Sequence, residues 1–237
     1  MLYNSHANVP FSKFRDYQVP DRSKETSYWE GVPHQDVVRC VRSVAKTNGL
    51  KITQEEFQLG NKGDTLFASW DFNRAVPGVK GAKMCLGYRG SNIGRYAHTF
   101  ATGARVGVCE NGMISGEFAL RRKHTTKVNL LELVGSAFDQ YLINIRQIKP
   151  MILNLQRKKL TNEEAAEIML ESARRGIIGW SRIRLVDKDW HAPRHAAFES
   201  STGWSLYNCF TESAKITTPA QQIEILRDVP ELILNHV

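Results

Sequence analysis

Apolar positions recur along this chain with two periods, and the switches between them outline a fold. Over 33–48, Val37, Val38, Val41, Val44 and Ala45 fall on one face at helical spacing and Gly49 supplies a stop, which predicts a first helix. Three strands are predicted next, over 50–59, 65–73 and 83–88, separated by Gly/Asn/Asp-rich and Pro/Gly-rich turns. In the second strand Leu66, Ala68, Trp70 and Phe72 share one face, while Phe67, Ser69, Asp71 and Asn73 share the other. That alternation predicts a one-sided sheet whose polar face is free for water or a ligand. Residues 105–109 and 113–120 read as a hairpin turning at Glu110-Asn111-Gly112, since Asn-Gly is the strongest short-range hairpin signal.

The period then changes. Val128, Leu131, Val134, Phe138, Leu142, Ile145 and Ile148 recur every three or four residues, a long amphipathic helix expected to end at Pro150. Thr161-Asn-Glu-Glu164 is a capping box opening a helix that runs to Arg175, with Gly176 as terminator. A polar and aromatic loop is expected over 186–201, and two last helices begin at Thr202 and at Thr218-Pro219. Helix, strand group and helix group follow without βαβ alternation. The expected class is α+β: an antiparallel sheet flanked on one side by helices, with a helical C-terminal half. Residues 1–34, polar, Pro-punctuated and dotted with aromatics, are expected to form an arm that packs on its own body or on a neighbouring subunit, or else is loosely ordered. Residues 35–237 form a single domain, sheet-rich over 50–127 and helical over 128–237.

At 237 residues and 42% hydrophobic, the chain can bury a sizeable core. No window approaches eighteen uninterrupted apolar residues, and Met1 to Pro10 lacks a basic start and apolar block, so neither a membrane span nor a signal peptide is expected. Cys40, Cys85, Cys109 and Cys209 lie far apart without CxxC spacing, which suggests reduced thiols in a cytosol rather than a zinc knuckle or a disulfide framework.

Charge sharpens the picture. Between Phe72 and Lys159, 15 Lys/Arg stand against 4 Asp/Glu, a balance of +11 in 88 residues, where the whole chain carries only +8. Concentrated positive charge costs self-repulsion and points to a polyanionic partner. Three groups of candidate phosphate contacts follow. Arg121, Arg122, Lys123, His124 and Lys127 lie before the long helix, where cations oppose the helix dipole unless phosphates are bound there. Arg157, Lys158 and Lys159 sit between two helices, a place where solvated lysines are common. Arg89, Arg95 and Arg105 lie in or beside the Gly/Ser/Asn-rich link 87–96, whose Tyr88 and Tyr96 suit base stacking. That link lacks the Gly-Lys-Ser/Thr of a P-loop. His191 and His195 have helical metal-pair spacing, but Pro193 interrupts it and no carboxylate completes it. Cys109 between His98 and His124 reads as a core thiol rather than a nucleophile. Too few acids converge for two-metal chemistry, so no metal, cofactor or catalytic residue is assigned.

Two segments carry a resemblance: Gly103-Ala-Arg-Val-Gly-Val-Cys-Glu-Asn-Gly112 with Ser115-Gly-Glu117 and Arg122-Lys-His-Thr125, and Gly203-Trp-Ser-Leu-Tyr-Asn-Cys-Phe-Thr-Glu212. Over roughly 30–215 the chain resembles a phage- and plasmid-borne family labelled a domain of unknown function. The resemblance implies a mobile-element protein working in the cytoplasm of a bacterial host. The leading expectation is a non-catalytic nucleic-acid-binding protein, single-stranded DNA binding or annealing in phage DNA metabolism, with homo-oligomers in view. A phage interaction protein that inhibits a host defence or nucleic-acid enzyme ranks second, and a nuclease third.

Overall fold

The computed structural model describes residues 8–21, 31–75, 82–95, 97–106, 111–114, 120–122, 129–194, 199, 201–215, 217 and 219–236. Six α-helices appear there: α1 (His34–Thr47), α2 (Leu130–Arg157), α3 (Asn162–Arg174), α4 (Trp180–His191), α5 (Gly203–Ala214) and α6 (Pro219–Asn235). Between α1 and α2 lie β1 (Ile52–Gly60), β2 (Thr65–Ala75), β3 (Ala82–Ser91), β4 (His98–Val106), β5 (Asn111–Ile114) and β6 (Leu120–Arg122). The strands form one antiparallel sheet in the order β1-β2-β3-β4-β5, with β6 also pairing with β4. The fold is α+β, with a helical C-terminal half.

The apolar face of the sheet builds the core. Leu66, Ala68, Trp70 and Phe72 of β2 and Met84, Leu86 and Tyr88 of β3 are buried in one cluster with Val37, Val38 and Val41 of α1 and Val134, Ala137 and Phe138 of α2. Phe72 and Phe138 meet edge to face at 5.6 Å, which fixes α2 against the sheet. Helix α5 is buried on all sides. Its polar residues are satisfied locally: Asn208 Nδ2 donates to the Trp204 carbonyl at 2.7 Å, and the Thr211 and Ser213 hydroxyls donate to carbonyls three residues back. The capping box at Thr161 and Glu164 is present as read from sequence.

Residues 8–17 of the arm pack on the body. Val9 N–H bonds the Phe57 carbonyl, Phe14 meets Phe57 at 5.3 Å, and Tyr17 stacks on His34 at 4.4 Å. Arg42 grips Glu55 with two bonds of 2.9 and 2.6 Å while its guanidinium lies 4.7 Å over the Phe11 ring.

Several elements differ from expectation. Helix α2 passes through Pro150 to Arg157. The lost N–H bond costs about 3 kcal/mol, and it is outweighed because Ile152 and Leu155, beyond the proline, are fully buried. Helix α4 covers the start of the expected loop at 186–201: Val186, Asp189 and Trp190 share a buried face, a helical spacing obscured by the intervening charges. Strand β4 begins at His98 rather than at 105, and β3 continues to Ser91, so 87–91 is strand and not a flexible link. Asn111 and Gly112 pair with Val106 and Arg105, so they start β5 instead of forming the turn. Cross-strand pairing outweighs the local turn preference here, and the connection at 107–110 lies outside the described residues. The expected strand at 113–120 is represented by β5 and β6. No described helix is long and apolar enough to cross a membrane.

Candidate functional site

The second face of the sheet does not lie open to water as expected. Ser69 and Asp71 are 1% and 3% exposed, and Gln58, Thr65, Ser91 and Thr99 on the same face are buried too. Register sorts them into cross-strand rows. One row runs Gln58–Phe67–Arg89–Thr99 and reaches the backbone position of Arg121 in β6. The next runs Glu56–Ser69–Gly87–Ala101, and beyond it lies Gln54–Asp71–Cys85–Gly103. The Ser69 hydroxyl donates to Glu56 Oε2 at 3.4 Å, which confirms that the strands present these side chains together. Phe67 and Cys85 are buried yet stand apart from the contiguous apolar core. A buried face this rich in amide, hydroxyl and charge is expensive without a task, because each polar group needs a partner out of water.

The end of the sheet holding the β1–β2 and β3–β4 turns is tightly tied. Asn92 exchanges two 2.9 Å bonds with the Val32 backbone, and its own N–H bonds the Asp64 carbonyl at 2.7 Å. Tyr17 donates to Asp64 Oδ1 at 2.7 Å, and His34 Nε2 meets the Gly63 carbonyl at 2.8 Å. Burial and the Asp64 bond push the Tyr17 phenol above its usual range. Burial pulls His34 down to about 4, so it stands neutral. On the core side of this end, Tyr88 Oη and His98 Nδ1 share a 2.6 Å hydrogen bond, and burial raises the Tyr88 pKa.

This end collects part of the predicted cationic set. Arg89 is half-buried in β3, and Arg95 is exposed in the β3–β4 turn. Strand β6 runs antiparallel to β4 toward the same end, placing Arg121 opposite Thr99 and Arg122 opposite His98. Lys123, His124 and Lys127 follow Arg122 directly in sequence and lie outside the described residues. Arg105 does not join them: it pairs with Lys83 and Gly112, six residues along β4 from Thr99, about 20 Å. Arg157, exposed Lys159 and half-buried Lys158 lie at the far end of α2, whose 28 residues make about 40 Å of helix. The Lys158 ammonium is engaged with the His236 carbonyl, and Lys159 makes a β-bridge with Thr202. The predicted basic residues therefore do not converge: one group lies at the β3–β4 turn end, Arg105 lies farther along β4, and Arg157 to Lys159 lie at the end of α2.

Two expectations about chemistry change. Tyr88 is fully buried, so its ring offers no surface for base stacking; the strand alternation that includes it was hidden by the glycines around it. His98 is held against Tyr88 in the interior, while Cys109 and His124 fall outside the described residues. Among the described residues no group of three or more His, Cys, Asp or Glu is placed to hold a metal ion. Sequence reasoning did not single out a cluster between α4 and α5. There Arg194 bonds Asp189 at 2.9 Å and approaches Glu212 at 3.7 Å, beside Cys209, whose thiol burial and Asp189 push up to about 12. A thiol so protonated is a structural group rather than a nucleophile.

No curated protein and no solved structure matches the chain. The model of one family spans nearly all of it, residues 23–229, and on that match the chain belongs to the family described as domain of unknown function DUF932.

Proposed function

We propose that the protein binds nucleic acid, receiving the phosphates of a strand at the sheet end that holds the β3–β4 turn. The observation behind this reading is the pairing of β6 with the first residues of β4, which brings the backbone positions of Arg121 and Arg122 to the end of the sheet that holds Arg95, with Arg121 two strands (about 10 Å) from Arg89. Four cations gathered at one end, with Lys123, His124 and Lys127 next in the chain, give a polyanion a local partner. The tied turns supply a rigid frame, so little ordering cost falls on binding. The role is non-catalytic, and single-stranded DNA in phage DNA metabolism is the preferred ligand. The bacterial host cytoplasm and assembly of several copies belong to the same proposal.

Gel-shift titration over a range of salt tests it. Arg121→Ala, Arg122→Ala and Lys123→Ala combined should weaken binding and flatten the log–log salt slope by about 2, from about 0.7 per neutralised phosphate on single strands. Arg157→Ala with Lys159→Ala, at the far end of α2, should change affinity less than twofold. An unaltered slope in the triple variant, with its melting temperature unchanged, would refute the assignment.

A further inference from the structure

We propose that the β1–β2 turn is a second phosphate contact beside the β3–β4 turn, with Lys62 as its cation and a nucleic-acid backbone laid across both turns. This inference rests on the nucleic-acid reading and adds to it a residue outside the basic central segment. The turn is built in an unusual way. Asn61, Lys62 and Gly63 have φ of 52, 59 and 103° in succession, all in the left-handed region. Glycine enters that region freely and asparagine tolerates it, but a lysine there is strained because its Cβ crowds the following carbonyl. The surroundings hold that strain in place. Asn61 Nδ2 donates to Thr65 Oγ1 at 2.8 Å, buried His34 donates to the Gly63 carbonyl at 2.8 Å, and the Asp64 carboxylate accepts from Tyr17 at 2.7 Å. Backbone strain of this kind collects where a side chain has a task, and here the side chain is an exposed ammonium.

Position supplies the second observation. Asn92 N–H bonds the Asp64 carbonyl at 2.7 Å, so Lys62 lies two residues from one end of that bond and Arg95 three residues from the other. Lys62 and Arg95 are both exposed, and neither forms an ion pair with a described residue. Asp64, the acid of the same turn, is occupied by the Tyr17 hydroxyl. Two unneutralised cations on adjoining, tied turns repel each other, and a phosphate backbone bridging both relieves that repulsion. A lysine point charge beside an arginine fork suits phosphate oxygens, so this contact positions the strand and carries no sequence preference.

Gel-shift titration of the full chain with labelled oligo-dT over a range of salt tests the contact, with melting temperatures measured in parallel. Lys62→Gly should flatten the log–log salt slope by about 0.7, the share of one phosphate on a single strand, and weaken binding about threefold to tenfold at low salt. The same variant should hold its melting temperature or raise it by about 2 °C, because glycine removes the backbone strain. Lys62→Arg keeps the charge and should bind within about twofold of the unaltered chain. Unchanged slope and affinity in Lys62→Gly would overturn this inference and leave the nucleic-acid reading standing, as would a Lys62→Arg variant as weak as Lys62→Gly. A melting temperature lowered by more than about 5 °C in Lys62→Gly would remove the strained turn from the argument and the inference with it. No salt-dependent binding by the unaltered chain would take down the nucleic-acid reading itself.

Discussion

Replacing Gly90 by alanine should be among the most damaging single-methyl additions in the sheet. A Cβ built there would lie 2.0 Å from Tyr88 Oη, 2.7 Å from Tyr88 Cζ and 2.9 Å from His98 Nδ1. None of these atoms can step aside cheaply. Tyr88 is 1% exposed, its ring sits 4.9 Å from that of Phe100, and its hydroxyl is bonded to His98 at 2.6 Å. Relief requires moving a packed aromatic ring, at about 1–3 kcal/mol of overpacking. Straining the Tyr88–His98 bond adds about 1 kcal/mol. Against this, alanine restricts the unfolded chain, which favours the variant by about 0.5–1 kcal/mol.

Gly87 is the internal control. It occupies the same strand, but its added Cβ would make only an ordinary contact at 3.7 Å. Gly87→Ala keeps the unfolded-state gain without the clash, so the two variants should differ by about 2–4 kcal/mol. For a chain of this size that is a gap of about 5–15 °C in melting temperature. Urea unfolding gives the midpoints, with the slope as a check that the denatured states are alike. In a Tyr88→Phe background the cost of Gly90→Ala should shrink by about 1 kcal/mol, because the nearest atom is gone. Coincident midpoints for Gly90→Ala and Gly87→Ala would refute the packing described for this end of the sheet.

Two further outcomes follow from buried ionisable groups. His34 stays neutral down to about 4 in the fold but takes a proton near 6.5 when unfolded. The unfolded state therefore binds more protons between those values, and stability present above pH 6.5 should fall as pH drops toward 4, by up to about 3 kcal/mol. Subtracting the profile of His34→Gln isolates this component; a flat difference between pH 6.5 and 4 would contradict the burial of the ring. Cys209, pushed up to about 12, should be alkylated at pH 8 about a thousandfold more slowly than a free thiol, read by mass spectrometry. Labelling at the free-thiol rate in folded protein would mean that helix α5 is open.

What the sequence disclosed depended on whether the signal was local. Helix α1, the Thr161 capping box and the buried helix from Gly203 were legible because the residues that shape them lie within a turn or two of each other. Local signals misled where distant contacts outweighed them: Pro150 inside α2, Asn111-Gly112 drawn into β5, and the charged stretch that hid α4. Alternation in β2 revealed a polar face, but no pattern within one strand says whether that face is also buried. The candidate site belongs to a third kind of information. Its residues stand at positions 58, 67, 89, 99 and 121, and they share a row only because successive antiparallel pairings place each opposite the next. A slip of one residue at any pairing would send the rest of the row to the core face. The +11 of the central segment was therefore readable as a quantity but not as a place. Pairing of β6 with β4 sets Arg121 in the same cross-strand row as Arg89, two strands over, whereas the length of α2 carries Arg157 and Lys159 about 40 Å away. A residue inserted between His98 and Phe100, which preserves charge but shifts that pairing, should weaken binding and flatten its salt slope in a gel-shift titration as much as removing Arg121, Arg122 and Lys123 does.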